Sequence, residues 1–455
     1  MTAPAASPAS RPRPARRALD DLGLTIDSAS VSSAAAAAGE PAWLQADRAE
    51  AAEAYAALPA ESNLLYSTYI DLRAAQLGDA RLVSGPAATG ETSLPDDADA
   101  IIVIDEGERV AIALSPSATA AGVRVTEGVT EADRAALLET SLPKNDKFAQ
   151  LTRAAWSRLV VIDVPDGLAL DKPIIVRWAL GAADRALLTR TIVRLGAGAR
   201  AAVVEELVAS SAAVTESRQA FFAGTTEVAL GAGATLHVAS LQELPTNVIA
   251  IQHRVAEIGE DATLHWALAQ LGGRLVRARS DNRLVGDRSS VEQVEILFGS
   301  DDQLFDLTSY TTHVGRDTTG DLLSKGALLD RARTYLKGLI IIEKTAIGTD
   351  SFLGEFGMNL SKQARSVAIP SLEIDQPDCR RAMHSSSVGP IDETQLFYLE
   401  SRGIPPDEAR KFIVLGFLEP VVARVPLAEA QARLRALLEA KWDASVGSPS
   451  AADAA

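Results

Sequence analysis

Gly231-Ala-Gly-Ala-Thr-Leu-His-Val238 decides the fold. A glycine opens a turn, a small residue follows three places later, and an alternating apolar run begins directly after it. The same arrangement recurs at Gly196-Ala-Gly-Ala199, Gly259-Glu-Asp-Ala262, Gly286-Asp-Arg-Ser289 and Gly315-Arg-Asp-Thr318, with starting glycines 35, 28, 27 and 29 residues apart. Repeats of this length imply stacked units, none able to bury its apolar face alone. Glycine permits the corner dihedral, and the small residue lets neighbouring coils approach. A solenoid of parallel β-coils satisfies both features. A β-sandwich would instead carry hairpin turns of the Asn-Gly type at regular short intervals, and no such series runs through the chain.

The register of the repeat makes one further placement. Six residues past four of the glycines stand His237, His265, Glu292 and Asp321. Equivalent positions of a β-solenoid stack at strand spacing, so these four form a column, with Leu236, Val238, Leu264 and Trp266 pointing inward beside them. Histidine and carboxylate are competent iron or zinc ligands, and an ordinary solvent-facing polar ladder accounts for the same pattern.

Outward from the repeat, the strand texture begins near Trp156, and no convincing helix follows until about residue 392. Upstream, Trp43, Leu44, Ala52, Tyr55 and Leu58 recur at helical spacing, and Pro59 ends the run. Ile101–Ile104 reads as a short strand, and Thr130 to Leu142 as a helix that Thr130 caps. Downstream, Glu393–Leu399, Pro406–Leu415 and Pro426–Trp442 read as helices, the last with Leu427, Ala430, Leu434, Leu437 and Leu438 on one face. The expected organisation is a mainly β chain. A disordered Ala/Pro-rich tail covers residues 1–38 and a largely helical domain residues 39–150. A parallel β-helix follows over 151–391, then C-terminal helices over 392–445 and a second tail over 446–455. Arg11, Arg13, Arg16 and Arg17 superficially suit a transit peptide, but Pro12 and Pro14 among them break the amphipathic helix it requires.

Composition narrows function. The formal charge of −16 argues against broad binding of nucleic acid, which needs cations to neutralise phosphates. No apolar run approaches the length of a membrane span, and the expected location is the cytoplasm. The single cysteine, Cys379, cannot supply the four thiolates of an iron–sulfur site, so any cluster handled here must borrow ligands from another chain. No phosphate-binding loop is present, which excludes ATP hydrolysis by this chain alone. The acids are scattered, which disfavours a carbohydrate-cleaving β-helix enzyme. His384, in Ala382-Met-His-Ser-Ser-Ser-Val-Gly389, stands where strand texture gives way to helix, as a structural hydrogen-bonder or as a ligand.

The segment beyond His384 is more specific. Asp392-Glu-Thr-Gln-Leu-Phe-Tyr398, Ser401-Arg-Gly-Ile404 and Glu408-Ala409 strongly resemble the C-terminal signature of the SufB/SufD family, as do Ile369-Pro-Ser-Leu-Glu-Ile374, Ser324-Lys-Gly326 and Gly416-Phe417. The resemblance runs over about residues 40–440. It implies a right-handed β-helix between helical regions, in a non-catalytic scaffold subunit of iron–sulfur cluster assembly. That subunit pairs with a SufB-type chain through the β-helix and binds a SufC-type ATPase through its C-terminal helices. Its cluster is transient and shared with the SufB-type partner, and a role for flavin stays open. Chains of the SufB type carry a cysteine where this chain has Ala364 and a glutamate where it has Ser385, so the resemblance is to the SufD type. A SufB-like homodimeric scaffold is the alternative. Carried over, His384 is the cluster-related residue at the subunit interface. Arg402, Glu408, Lys411 and Phe412 are the candidates for contact with the ATPase subunit. SufD-type chains often have a cysteine two residues before the histidine. Ala382 stands there instead, so Cys379 is expected to be structural. The apolar side chains of the C-terminal helices are expected to cap the end of the solenoid.

Overall fold

The computed structural model describes residues 21–24, 26–214 and 218–446. From Arg158 to Pro390 the chain alternates between two parallel sheets, laying one strand in each on every turn. The first sheet runs from Arg158–Val164 to Arg365–Ile374 and the second from Ile174–Leu180 to Arg381–Pro390. This is a parallel β-solenoid of about eight turns.

The corner between the sheets divides its work among three residues. Gly286 is there because the neighbouring coil leaves no room: a Cβ on it would lie 2.0 Å from the backbone nitrogen of Glu260. The left-handed dihedral falls two residues later, on Gly198, Gly233, Asp261, Arg288 and Asp317. The small residue after that (Ala199, Ala234, Ala262, Ser289, Thr318) is fully buried. The repeat glycine thus serves close approach, and the corner dihedral expected of it belongs to its neighbour.

Inward positions of both sheets fill the coil with apolar side chains, among them Trp178, Val238, Trp266, Leu307 and Leu336. At its first end the coil is closed by antiparallel pairing of Arg124–Glu127 with Arg158–Val164 and of Arg109–Leu114 with Ala100–Asp105. Among the described residues its last end is not closed: Arg365–Ile374 and Arg381–Pro390 each pair on one side only.

Helices cover the outer faces. Ser28–Ala37, Ala42–Ala57 and Lys147–Ala155 lie with Leu72 and Leu77 over Leu188, Phe221, Ile251 and Leu275 of the first sheet. The tail expected over residues 1–38 is therefore helical in its last part. Asp27 caps Ser30, and Leu22, Ile26 and Val31 are buried. The remainder of that tail, residues 1–20, and residues 447–455 of the second lie outside the described residues. The helix expected over Thr130–Leu142 is shorter, a single 3₁₀ turn followed by Arg134–Leu138. Thr130 and Asp133 nevertheless form the capping box at its start.

Between this layer and the sheet lies a buried charge network. Arg277 reaches Glu61 at 2.6 Å and Asp306 at 2.5 Å, while Arg279 reaches Asp146 at 3.0 Å and Asp281 at 2.9 Å. His253 sits between Asp146 and Asp281, and Lys337 also pairs with Asp306. Four cations, counting a protonated His253, meet four carboxylates. Burying them is tolerable only because the charges balance.

The C-terminal helices Glu393–Ser401, Pro406–Val422 and Ala428–Val446 follow. The second of them outruns the expected Pro406–Leu415. It continues through Pro420 because Val414, Leu418, Val421 and Val422 bury against Ala267, Val294, Ile296 and Ala327 of the second sheet. These helices therefore cover the side of the solenoid and, among the described residues, leave its end uncovered, contrary to the expected cap.

Candidate functional site

His384 lies on the last strand of the second sheet. Its register partner is Leu353, and below that the same inward column runs through Leu322, Gln293, Trp266 and Val238. Those five are buried, and His384 is exposed only because no further coil covers it. It accepts or donates no hydrogen bond among the described residues. The alternation that fills the core thus presents an imidazole at the mouth of the coil.

One coil deeper, Glu355 occupies the neighbouring inward position and pairs in register with Ser386. It is 2 % exposed, and its one hydrogen bond comes from the backbone N–H of Ile369 at 3.1 Å. Burial pushes its carboxyl up to about 8. Further in along the same column, burial pushes Glu295 up to about 7, against the opposing attraction of Arg254. Beside it the Nε2 of Gln270 donates to Gln252 at 3.2 Å, and the Oε1 of Gln270 has no hydrogen-bond partner among the described residues. Arg254 in turn binds Ser240 at 2.9 Å and Glu205 at 3.1 Å. His313, between Thr318 and Ser351, is pushed down to about 4 by burial and is a neutral core histidine. This polar column inside an apolar coil was not foreseen from the sequence.

The outer column expected from the repeat is present. His237 pairs with His265, His265 with Glu292, and Glu292 with Asp321 in consecutive registers. The two rings meet edge to face at 4.8 Å, and the Nδ1 of His265 lies 3.2 Å from Glu292. Burial and the neighbouring imidazole push His237 down. Arg424 occupies the carboxylates, 2.6 Å from Glu292 and 3.3 Å from Asp321. Among the described residues no group of three His, Cys, Asp or Glu is arranged to hold a metal. The ladder therefore ties the C-terminal helices to the sheet, and the metal option for it is not supported.

Ser324-Lys-Gly326 and Gly416-Phe417 also meet: Lys325 donates to the carbonyl of Phe417 at 2.9 Å and lies 4.6 Å from its ring. Glu408, Lys411 and Phe412 line a groove of about 550 Å³ between the last two helices, with Trp442 and Glu439 opposite. Phe412, Phe397 and Tyr398 are largely exposed. Arg402 is exposed on the preceding turn and stacks on Tyr398. Cys379, half-buried in the corner before the last strand, packs with Leu372 and Ala382 against Ile340 and Leu353. No helix is long and apolar enough to cross a membrane among the described residues.

Residues 178–417 match the model of the core domain of the SufBD proteins of SUF-system iron–sulfur cluster assembly. A SufBD family protein of Mycobacterium tuberculosis is 31% identical over 243 residues, covering 52% of this chain and 61% of that protein. The iron–sulfur cluster assembly protein SufD of Bacillus subtilis is 28% identical over 279 residues, covering 61% of this chain and 63% of its own length. A SufBD family protein of Staphylococcus saprophyticus is 26% identical over 309 residues, 68% of this chain and 65% of that protein. With its coil, its buried corners and more than half of its length matched by the core model, this chain belongs to the SufBD family of iron–sulfur cluster assembly proteins.

Proposed function

We propose that this chain is a SufD-type, non-catalytic scaffold subunit. It docks edge to edge with a SufB-type subunit, and the joint holds His384 beside a nascent iron–sulfur cluster. The observation that carries this reading is the uncovered last coil. Two ten-residue strands present unpaired N–H and C=O groups there, which templates pairing with another β-coil. Exposed apolar side chains gather at the same end: Ile374, Met383 and Val388 lie on or beside those strands. Leu64 and Leu65 project from the loop that Tyr66 ties to the carbonyl of Gly338 at 2.8 Å. Ser385 after His384, and Ala364 ahead of the preceding strand, favour the SufD type over the homodimeric alternative.

The exposed Phe397, Tyr398 and Phe412, with Arg402, Glu408 and Lys411, support docking of an ATPase subunit on the C-terminal helices. The cluster is cargo, and its thiolates come from the partner, since this chain has one cysteine. The test is co-expression with SufB- and SufC-type proteins, anaerobic purification, and iron and sulfide analysis. His384→Ala should leave the complex assembled and lose the cluster. Undiminished iron and sulfide in that variant would refute the placement of the site.

A further inference from the structure

We propose that Glu355 and His384 together form a half-site for a divalent first-row cation at the mouth of the coil, completed by donors of the docked partner. The inference rests on the scaffold reading and adds to it a second ligand, one coil below the first. Glu355 and Leu353 both point into the lumen, and Leu353 is the residue directly beneath His384. Across the lumen stands Gly338. A Cβ there would lie 2.4 Å from Leu353 Cδ2 and 2.8 Å from Glu355 Oε1, so the carboxyl extends beside the leucine that lies beneath His384. The absence of a side chain at Gly338 is what gives the carboxyl that space.

No described residue serves as its counter-ion. Glu355 makes no salt bridge among the described residues, whereas the buried acids Glu61, Asp146, Asp281, Asp306 and Glu227 each face an arginine. The inward positions of the adjoining strand are Ala368, Pro370 and Leu372, which carry no charge and no donor. A buried carboxylate without a cation is costly, and here the mouth beside it is open. Imidazole and carboxylate are matched ligands for Fe2+ and its neighbours in the first row. Two ligands bind weakly, and no third among the described residues completes the set, so the free chain holds the cation only under excess metal and a docked partner tightens the site.

The experiment is affinity cleavage. The full chain is loaded with Fe2+, treated with ascorbate and hydrogen peroxide, and the backbone cuts are mapped by mass spectrometry. Cuts are expected near residues 353–356 and 384–386, and they should fall at least tenfold in both Glu355→Gln and His384→Ala. Excess Mn2+ should suppress them in the unaltered chain. The amide variant keeps size and shape, and an unchanged unfolding midpoint shows that it folds. Absence of cuts at the mouth, or cuts that persist in Glu355→Gln, would overturn the half-site. Co-purification of Glu355→Gln with a SufB-type subunit separates the two ideas. Binding retained with the cuts lost supports the half-site on a working interface. Binding retained with the cuts unchanged overturns the half-site alone.

Discussion

Replacing Gly286 by alanine tests the physical basis of the solenoid. The new Cβ would lie 2.0 Å from the nitrogen and 2.4 Å from the Cα of Glu260, both backbone atoms of the preceding coil. Non-bonded heavy atoms sit at about 3.5 Å, so the corner must open by roughly 1.5 Å. The bonds from the Val285 and Gly286 N–H groups to the carbonyl of Ile258, each 3.1 Å, cannot survive that movement. Two lost hydrogen bonds cost about 1 kcal/mol each. Overpacking strain adds about 1–3 kcal/mol. Gly198 provides the control. Its φ of +68° is left-handed, but a Cβ there would meet only Gly167 at 4.0 Å. Gly198→Ala should therefore cost only about 1–2 kcal/mol, the price of the dihedral alone. Stacked coils open locally, so hydrogen exchange of the flanking strands Leu275–Leu284 and Ser290–Gly299 is the suitable assay. A penalty of about 3 kcal/mol speeds exchange there by about two decades. Equal exchange in Gly286→Ala and the unaltered protein would refute the close-approach account.

Further predictions concern buried charge. Burial opposes protonation of His253, but Asp146 and Asp281 outweigh it and hold its pKa above the ordinary value. A raised pKa contributes stability that is complete below about 6.5 and lost as pH rises through the folded value. Thermal unfolding between pH 6 and 9 should show that loss, and His253→Gln should reduce it, leaving the part that the buried glutamates supply. Glu295, pushed up to about 7, likewise withdraws stability as pH rises from about 4.5 through 7. Glu295→Gln should therefore be more stable than the unaltered chain at pH 8 and should lose that advantage at pH 5; no difference at pH 8 would contradict a neutral acid in the lumen. Arg424→Ala removes a half-exposed tie to Glu292 and Asp321, worth about 1 kcal/mol or less. Exchange in Pro406–Val422 should quicken while the second sheet stays protected.

The coil was legible because glycine at close approach leaves a spacing that survives in one sequence. The same spacing placed His237, His265, Glu292 and Asp321 in one column. Its chemistry was not legible, because Arg424 reaches it from the turn after Pro406–Val422, more than a hundred residues away. Glu295 and Glu355 were missed for a related reason. Alternation marks them as inward only once the register of every coil is fixed, and a glutamate on a strand ordinarily faces water. The side-on docking of the C-terminal helices also escaped the sequence, since the apolar face of a helix does not say which surface of a solenoid receives it. Ser28–Ala37 was the reverse case: Asp27 as a cap, with Leu22, Ile26 and Val31, was a readable signal hidden in alanine-rich composition.

The most direct test of the account targets the free edge of the last strand. The Arg381 N–H points inward to the carbonyl of Thr349, so by alternation the Val388 N–H points to the open side. Val388→Pro removes that donor and sets a ring in the path of an incoming strand, without breaking the ladder to Asp350–Asn359. Affinity for a SufB-type subunit should fall at least tenfold, while the variant alone unfolds as the unaltered chain does. Full affinity in Val388→Pro would contradict edge-to-edge docking and, with it, the place assigned to His384.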